Sequence, residues 1–194
     1  MRSLFCAVVA TAVFCASSAN AQVLLNVDLD PSNLTITISS TGGLSAATIS
    51  GSDTTGFYLE NFFGGATSAV AETFLFGDLT SALNTSDGTP NLFRGGTTDP
   101  GLNVFSYTDD PFSDFTAGTV AFSGTASWGL SQATFDDIAG GATSGNIYFP
   151  ADTVDDIPGA TLLGTYEVST VPEPSTITLV GLVGLVATFR RKRA

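Results

Sequence analysis

Between Gln22 and Thr170 the side chains able to do chemistry are almost all carboxylates. The chain has no histidine, its two cysteines are Cys6 and Cys15, and its single lysine is Lys192. Those absences remove Ser-His-Asp and Cys-His nucleophiles, a Ser-Lys dyad, zinc sites built on imidazole or thiolate, and Schiff-base chemistry. A glycosidase would need two carboxylates about 5 to 9 Å apart, one of them with a raised pKa. Glu60, Glu72, Asp109, Asp110, Asp114, Asp136 and Asp137 are of the right type, but linear spacing does not show which of them converge in a cleft. The expectation is a protein without catalytic residues.

Oxygen ligation of a metal fits the composition better. Asp109, Asp110 and Asp114 form one cluster and Asp152, Asp155 and Asp156 another, each with three carboxylates in six residues or fewer. Calcium takes several such oxygens, although neither cluster has EF-hand spacing. The competing reading is turn chemistry, because aspartate bonds its own backbone in turns and Pro111 and Pro158 mark turns beside both clusters. Trp128, Tyr58, Tyr107, Tyr148 and Tyr166 offer flat faces for sugar rings, but such residues more often fill a core with their polar tips bonded at its edge. Trp128 shares strand parity with Phe122, Gly124 and Ala126, which predicts burial. Arg94 stands alone among carboxylates and is expected to bridge to one or more of them.

Short alternating segments dominate the chain between Gln22 and Thr170. Leu25, Val27 and Leu29 alternate with polar neighbours, and after Pro31-Ser32-Asn33 so do Leu34, Ile36 and Ile38, which predicts an N-terminal hairpin. Further strands are expected at 47–50, 56–63, 72–77, 103–107, 119–128, 146–149 and 161–168, with a helical turn at 132–138. Regular short strands with polar turns point to an all-β domain, an antiparallel β-sandwich or jelly roll. The pairs Gly64-Gly65, Gly95-Gly96 and Gly140-Gly141 supply permissive backbone, and the polar stretch 81–101 reads as a loop. The glycine-rich segments lack the lysine of a phosphate-binding loop.

Only Glu173 of the 18 acidic residues falls outside 22–170, and Arg94 is the one basic residue inside, so this segment carries a formal charge of −16. Nucleic acid and anionic headgroups need Lys and Arg to neutralise phosphate, so nucleic-acid binding is excluded as a function. Anionic polysaccharide remains accessible through bridging divalent cations. With no cysteine after Cys15, stability rests on a core and not on disulfides.

Both ends carry addresses. Residues 1–21 read as a signal peptide: Arg2 supplies the positive start, Leu4 to Ala16 the apolar region, and Ala19 and Ala21 the small-residue cleavage positions, leaving Gln22 first. At the other end Pro172-Glu173-Pro174 forms a stiff extended spacer, because proline lacks an amide donor and pushes its predecessor toward extended backbone. An uncharged apolar run from Ser175 to Phe189 follows, 15 residues against the ~20 of a comfortable bilayer span. Arg190, Arg191, Lys192 and Arg193 then place the C-terminus in the cytoplasm by the positive-inside rule. Pro-Glu-Pro, short apolar helix and basic cluster in this order resemble the PEP-CTERM sorting signal of Gram-negative bacteria that make extracellular polysaccharide. The resemblance covers residues 172–194 and implies recognition by a membrane protease, exosortase, after export by the Sec machinery.

The organisation expected is therefore a signal peptide (1–21), a secreted β domain (22–170) and a sorting tail (171–194) with a transient inner-membrane anchor. The resemblance implies delivery to the cell surface or extracellular matrix and a non-enzymatic role in polysaccharide or biofilm structure. A calcium-dependent carbohydrate-binding module and a carboxylate-based glycan hydrolase are the alternatives.

Overall fold

The computed structural model describes residues 21–47, 51–66, 72–83, 90–106 and 113–171. Their strands are β1 (Val23–Asp30), β2 (Thr35–Ser40), β3 (Gly51–Asp53), β4 (Phe57–Leu59), β5 (Glu72–Gly77), β6 (Thr80–Ser81), β7 (Pro90–Phe93), β8 (Leu102–Ser106), β9 (Ser113–Phe115), β10 (Phe122–Ser123), β11 (Thr125–Leu130), β12 (Ser144–Phe149) and β13 (Thr161–Thr170). Helix α1 spans Gln132–Ala139 and a 3-10 helix spans Val154–Gly159. Nine strands form one curled sheet in the order β5-β11-β2-β1-β13-β12-β4-β8-β7, and β10-β6 and β3-β9 form two-stranded ribbons.

The N-terminal hairpin forms as its alternation predicts. Leu25, Val27, Leu29, Ile36 and Ile38 are buried while Asn26 is exposed, and β1 and β2 pair in antiparallel register from Leu25↔Ser40 to Asp30↔Thr35. The turn is closed by Asp30, whose carboxylate accepts from the amides of Ser32 at 2.9 Å and Asn33 at 3.3 Å and from Asn33 Nδ2 at 2.8 Å. The Asn33 side-chain bond holds the Asp30 carboxyl below its ordinary range.

Where the structure departs from expectation, the reasons are local or topological. The sheet is mixed, because β1 and β13 run parallel from Val23↔Thr165 to Leu29↔Thr170, so an all-antiparallel arrangement is corrected. The segment expected as one strand at 119–128 splits at Gly124, which has φ +79 and lies where a Cβ would meet the Asp78 carbonyl oxygen at 2.3 Å. Leu59 ends the strand expected over 56–63, and Asn61 takes a φ of +59. Phe62 and Phe63 then sit buried in a covered loop, edge to face at a 5.6 Å centroid separation. The stretch read as a polar loop at 81–101 contains β7 and two buried charged residues, Arg94 and Asp99.

One hydrophobic core runs from Leu24 to Tyr166 in sequence. Its aromatic centre is Phe115, in contact with Phe57, Phe122 and Phe149 at centroid distances of 6.4, 5.3 and 4.7 Å. Trp128 is buried as its parity predicts, with Phe74 at its edge. Helix α1 replaces the expected turn at 132–138, and Ser131 caps it by accepting from the Thr134 amide at 3.2 Å.

Candidate functional site

The densest polar constellation lies where the loop after β4, the loop between β7 and β8, and α1 converge. Arg94 follows β7 and turns inward; its side chain and that of Asp137 are 2% and 3% exposed, and Nη1 donates to Asp137 Oδ2 at 2.8 Å. Nε donates to the Asp99 carbonyl at 2.7 Å and Nη2 to the Gly65 carbonyl at 2.8 Å. The guanidinium carbon stacks 4.1 Å above the centre of the Phe63 ring, so Phe63 forms one wall of the site. A single side chain thereby ties two loops and α1 together through its planar fork, as lysine's point charge cannot.

Asp99 completes the cluster. Its Oδ1 accepts from the Tyr58 hydroxyl and from the Gly101 amide at 2.8 Å, and Oδ2 from the Val154 amide at 3.0 Å. Burial, and then the hydrogen bond to Asp99, push the Tyr58 hydroxyl well above its ordinary pKa, so it stays a neutral donor. In β8, Asn103 donates from Nδ2 to the carbonyls of Thr55 and Ala151, both at 2.7 Å, and among the described residues its buried Oδ1 has no partner.

The glycine pairs explain how these loops approach. The Gly64 amide donates to the Asp137 carbonyl at 2.9 Å, and a Cβ on Gly64 would meet the Gly140 carbonyl oxygen at 2.1 Å. A Cβ on Gly141 would meet the Phe62 carbonyl oxygen at 2.0 Å. Gly65 donates its amide to Asp137 Oδ1. Outside the contact lies a shallow cleft of about 350 Å³ lined by Gly64, Gly65, Ala133, Asp136, Asp137 and Gly140. It offers glycine backbone and two carboxylates, one of them held in the ion pair.

The residues singled out in the sequence are dispersed. Asp114 lies in β9, and its amide donates to Ser81 Oγ at 3.2 Å; Asp109 and Asp110 lie outside the described residues. Asp156 serves as a cap, accepting from the amides of Asp152 and Thr153 at 3.2 and 3.1 Å and from Thr153 Oγ1 at 3.0 Å. Its hydrogen bond to the Asp152 side chain lowers the Asp156 pKa and raises that of Asp152. Asp155 is exposed on the same 3-10 turn. Among the described residues no three Asp, Glu, His or Cys side chains gather as a metal ion would require.

The sugar-facing reading fails for three aromatics, because Trp128, Tyr58 and Tyr166 are buried. Tyr166 donates to the Glu60 carbonyl at 2.7 Å, and half-buried Tyr148 accepts from Asn146 Nδ2 at 3.2 Å. Tyr107 lies outside the described residues. The Asp99–Tyr58 contact was not foreseeable, since 41 residues separate the partners and no local spacing signals it.

β13 delivers the chain to its tail. Val171, the last described residue, donates its amide to the Leu29 carbonyl at 2.8 Å, so the sheet holds the chain up to the residue before Pro172. Pro172, Glu173, Pro174, the apolar run and Arg190 to Arg193 lie outside the described residues, as do residues 1–20 with Ala19; Ala21 is the first described residue. Among the described residues no helix is long and apolar enough to cross a membrane.

A mostly β body whose last strand leads straight into a C-terminal tail is the class these features define. The family model of the PEP-CTERM protein-sorting motif matches residues 170–193, so the chain carries that motif, which implies export, sorting to the cell surface and processing by the membrane protease exosortase. No curated protein and no solved structure matches the chain.

Proposed function

We propose that the β domain is a non-enzymatic component of the extracellular polysaccharide or biofilm matrix, exported with a cleavable N-terminal signal, held briefly in the inner membrane by Thr176 to Phe189, and cut near Pro172-Glu173-Pro174. The observation that carries this reading is the sorting motif joined directly to the last strand of the domain. Residue chemistry supports the non-enzymatic part: histidine is absent, and Asp99, Asp137 and Asp156 are committed to structural donors. The charge of −16 favours contact with anionic polysaccharide through bridging calcium, whose ligands would be dispersed surface carboxylates and not one preformed cage.

Fractionation of the producing culture tests the proposal. The protein is expected in the polysaccharide fraction, released in part by a divalent-cation chelator and more fully by enzymatic degradation of the glycan. Recovery in the inner-membrane fraction, or free in the medium with no glycan association, contradicts the matrix role. Hydrolysis of the producer's polysaccharide by the purified protein, abolished by one Asp or Glu substitution, would replace it with the hydrolase reading.

A further inference from the structure

The chain after β2 folds back over the start of β1. Thr41 Oγ1 donates to the Val23 carbonyl at 2.6 Å, and Gly43 lies so close that a Cβ on it would meet the same carbonyl oxygen at 2.9 Å. Bonds from the other side fix this segment: the Ala121 amide donates to the Gly43 carbonyl at 3.0 Å, the Ser45 amide to the Thr119 carbonyl at 2.8 Å, and Leu44 bridges to Val120. The Leu44 amide is thereby aimed at Gln22, whose side-chain Oε1 accepts from it at 2.9 Å. The Gln22 carbonyl accepts from the Thr165 amide at 2.9 Å, yet the residue is exposed. Among the described residues Gln22 Nε2 has no hydrogen-bond partner.

We propose that Gln22 is a modification site: once it becomes the first residue, its α-amine closes on its own side-chain amide to form pyroglutamate, and the Leu44 amide promotes the closure. The inference rests on the reading of residues 1–21 as a cleaved signal peptide. In the step, the unprotonated amine attacks Cδ, the new N–Cδ bond forms, and the Cδ–Nε2 bond breaks. A proton passes from the attacking nitrogen to Nε2, which leaves as ammonia, so no oxidant or cofactor is consumed. An α-amine has an ordinary pKa of about 8, so part of it is unprotonated at neutral pH.

The fold adds a donor where charge develops. As the amine attacks, Oε1 gains negative charge, and a backbone N–H already fixed toward that oxygen stabilises it without reorganisation. Oε1 is the same atom in the open amide, the tetrahedral intermediate and the lactam, so the donor serves throughout the step. The Thr165 bond holds the residue's own carbonyl, which leaves the side chain and the amine as the moving parts. One partly solvated hydrogen bond corresponds to about two- to tenfold in rate. Closure also changes the surface. Residues 22–171 contain no lysine and Arg94 is buried, so it removes the last primary amine and the last exposed positive charge of this segment and leaves no free N-terminus for an aminopeptidase.

Mass spectrometry of the N-terminal peptide of the protein secreted by its own host tests the inference, with closure then followed on freshly secreted protein in native buffer and in denaturing urea. The expected peptide begins at Gln22, is lighter by one ammonia than the open form, and takes up no amine-reactive ester. Closure should be about two- to tenfold faster in the folded protein than in urea. Leu44→Pro, which deletes the donor, should slow it to the urea rate, with Trp128 fluorescence checking that the variant is folded; if it is not, the native-against-urea comparison of the parent decides. Where the parent is fully closed on recovery, the open fraction of folded Leu44→Pro reads the same difference. An open Gln22 that persists in the folded protein, or closure no faster in the folded parent than in urea or in folded Leu44→Pro, overturns the inference and leaves the signal-peptide reading intact. A chain beginning at any other residue overturns both.

Discussion

Replacing Arg94 by methionine should destabilise the domain by about 3–5 kcal/mol, the cost typical of removing one partner of a buried ion pair. Asp137 would keep the Gly65 amide on Oδ1 but lose the guanidinium on Oδ2, leaving a carboxylate that is 3% exposed without its compensating charge. The carbonyls of Asp99 and Gly65 would each lose a donor as well. Methionine restores most of the apolar stem against Phe63, so the loss reports charge and hydrogen bonds more than volume. Urea unfolding followed by Trp128, the only tryptophan and a buried one, reads the effect directly. Adding Asp137→Asn to Arg94→Met removes the stranded charge, and the double variant should recover about 1–3 kcal/mol relative to the sum of the singles. Arg94→Lys should recover little, because one ammonium cannot span the three acceptors. A loss below about 1 kcal/mol for Arg94→Met, or strictly additive singles, would refute the claim that this ion pair fastens the loops; 1 kcal/mol lies within the range of an exposed pair.

The other predictions concern the glycine contact and the Asp156 cap. Gly141→Ala places a Cβ 2.0 Å from the Phe62 carbonyl oxygen and should cost at least about 2 kcal/mol by overpacking, whereas Gly159→Ala, with open space around it, should lie within about 0.5 kcal/mol of the parent in the same unfolding assay. Asp156→Ala should cost about 1 kcal/mol through loss of its cap. The pH sign follows from the two shifts: Asp156, lowered by Asp152, contributes stability above the ordinary carboxylate pKa that is lost as pH falls through its folded value, while Asp152, raised by Asp156, contributes stability at low pH that is lost as pH rises. The acid limb of a melting curve should accordingly flatten in Asp156→Ala; an unchanged limb would show that the capping carboxylate does not titrate with unfolding.

Strands with one wet face were legible in the sequence because a period of two survives in the residues themselves. Leu25 to Leu29 and Leu34 to Ile38 alternate, and they became β1 and β2. Segment 72–77 was also recognisable from its β-forming residues, but its place at the end of the nine-stranded order among the described strands was not, since that depends on tertiary pairing. The parallel β1–β13 pair joins segments more than 130 residues apart in sequence, and no local signal encodes such a pairing. Arg94 was expected to bridge carboxylates because it is alone among them, yet its partner could not be named: Asp137 reaches it through the Gly64–Gly140 close approach, which depends on tertiary packing. Conversely, the Asp152–Asp156 cluster suggested ligation because composition alone does not show that Asp156 points back to cap its own turn. The sorting tail was the clearest signal in the chain, as its meaning lies in linear order.

Intact-mass and C-terminal peptide analysis of the protein recovered from native extracellular material tests the central claim most directly. A C-terminus between Val171 and Ser175 is the predicted result and establishes export followed by removal of the apolar and basic tail. Recovery of peptides containing Arg190 to Arg193 would contradict processing and leave the domain as a membrane-anchored protein.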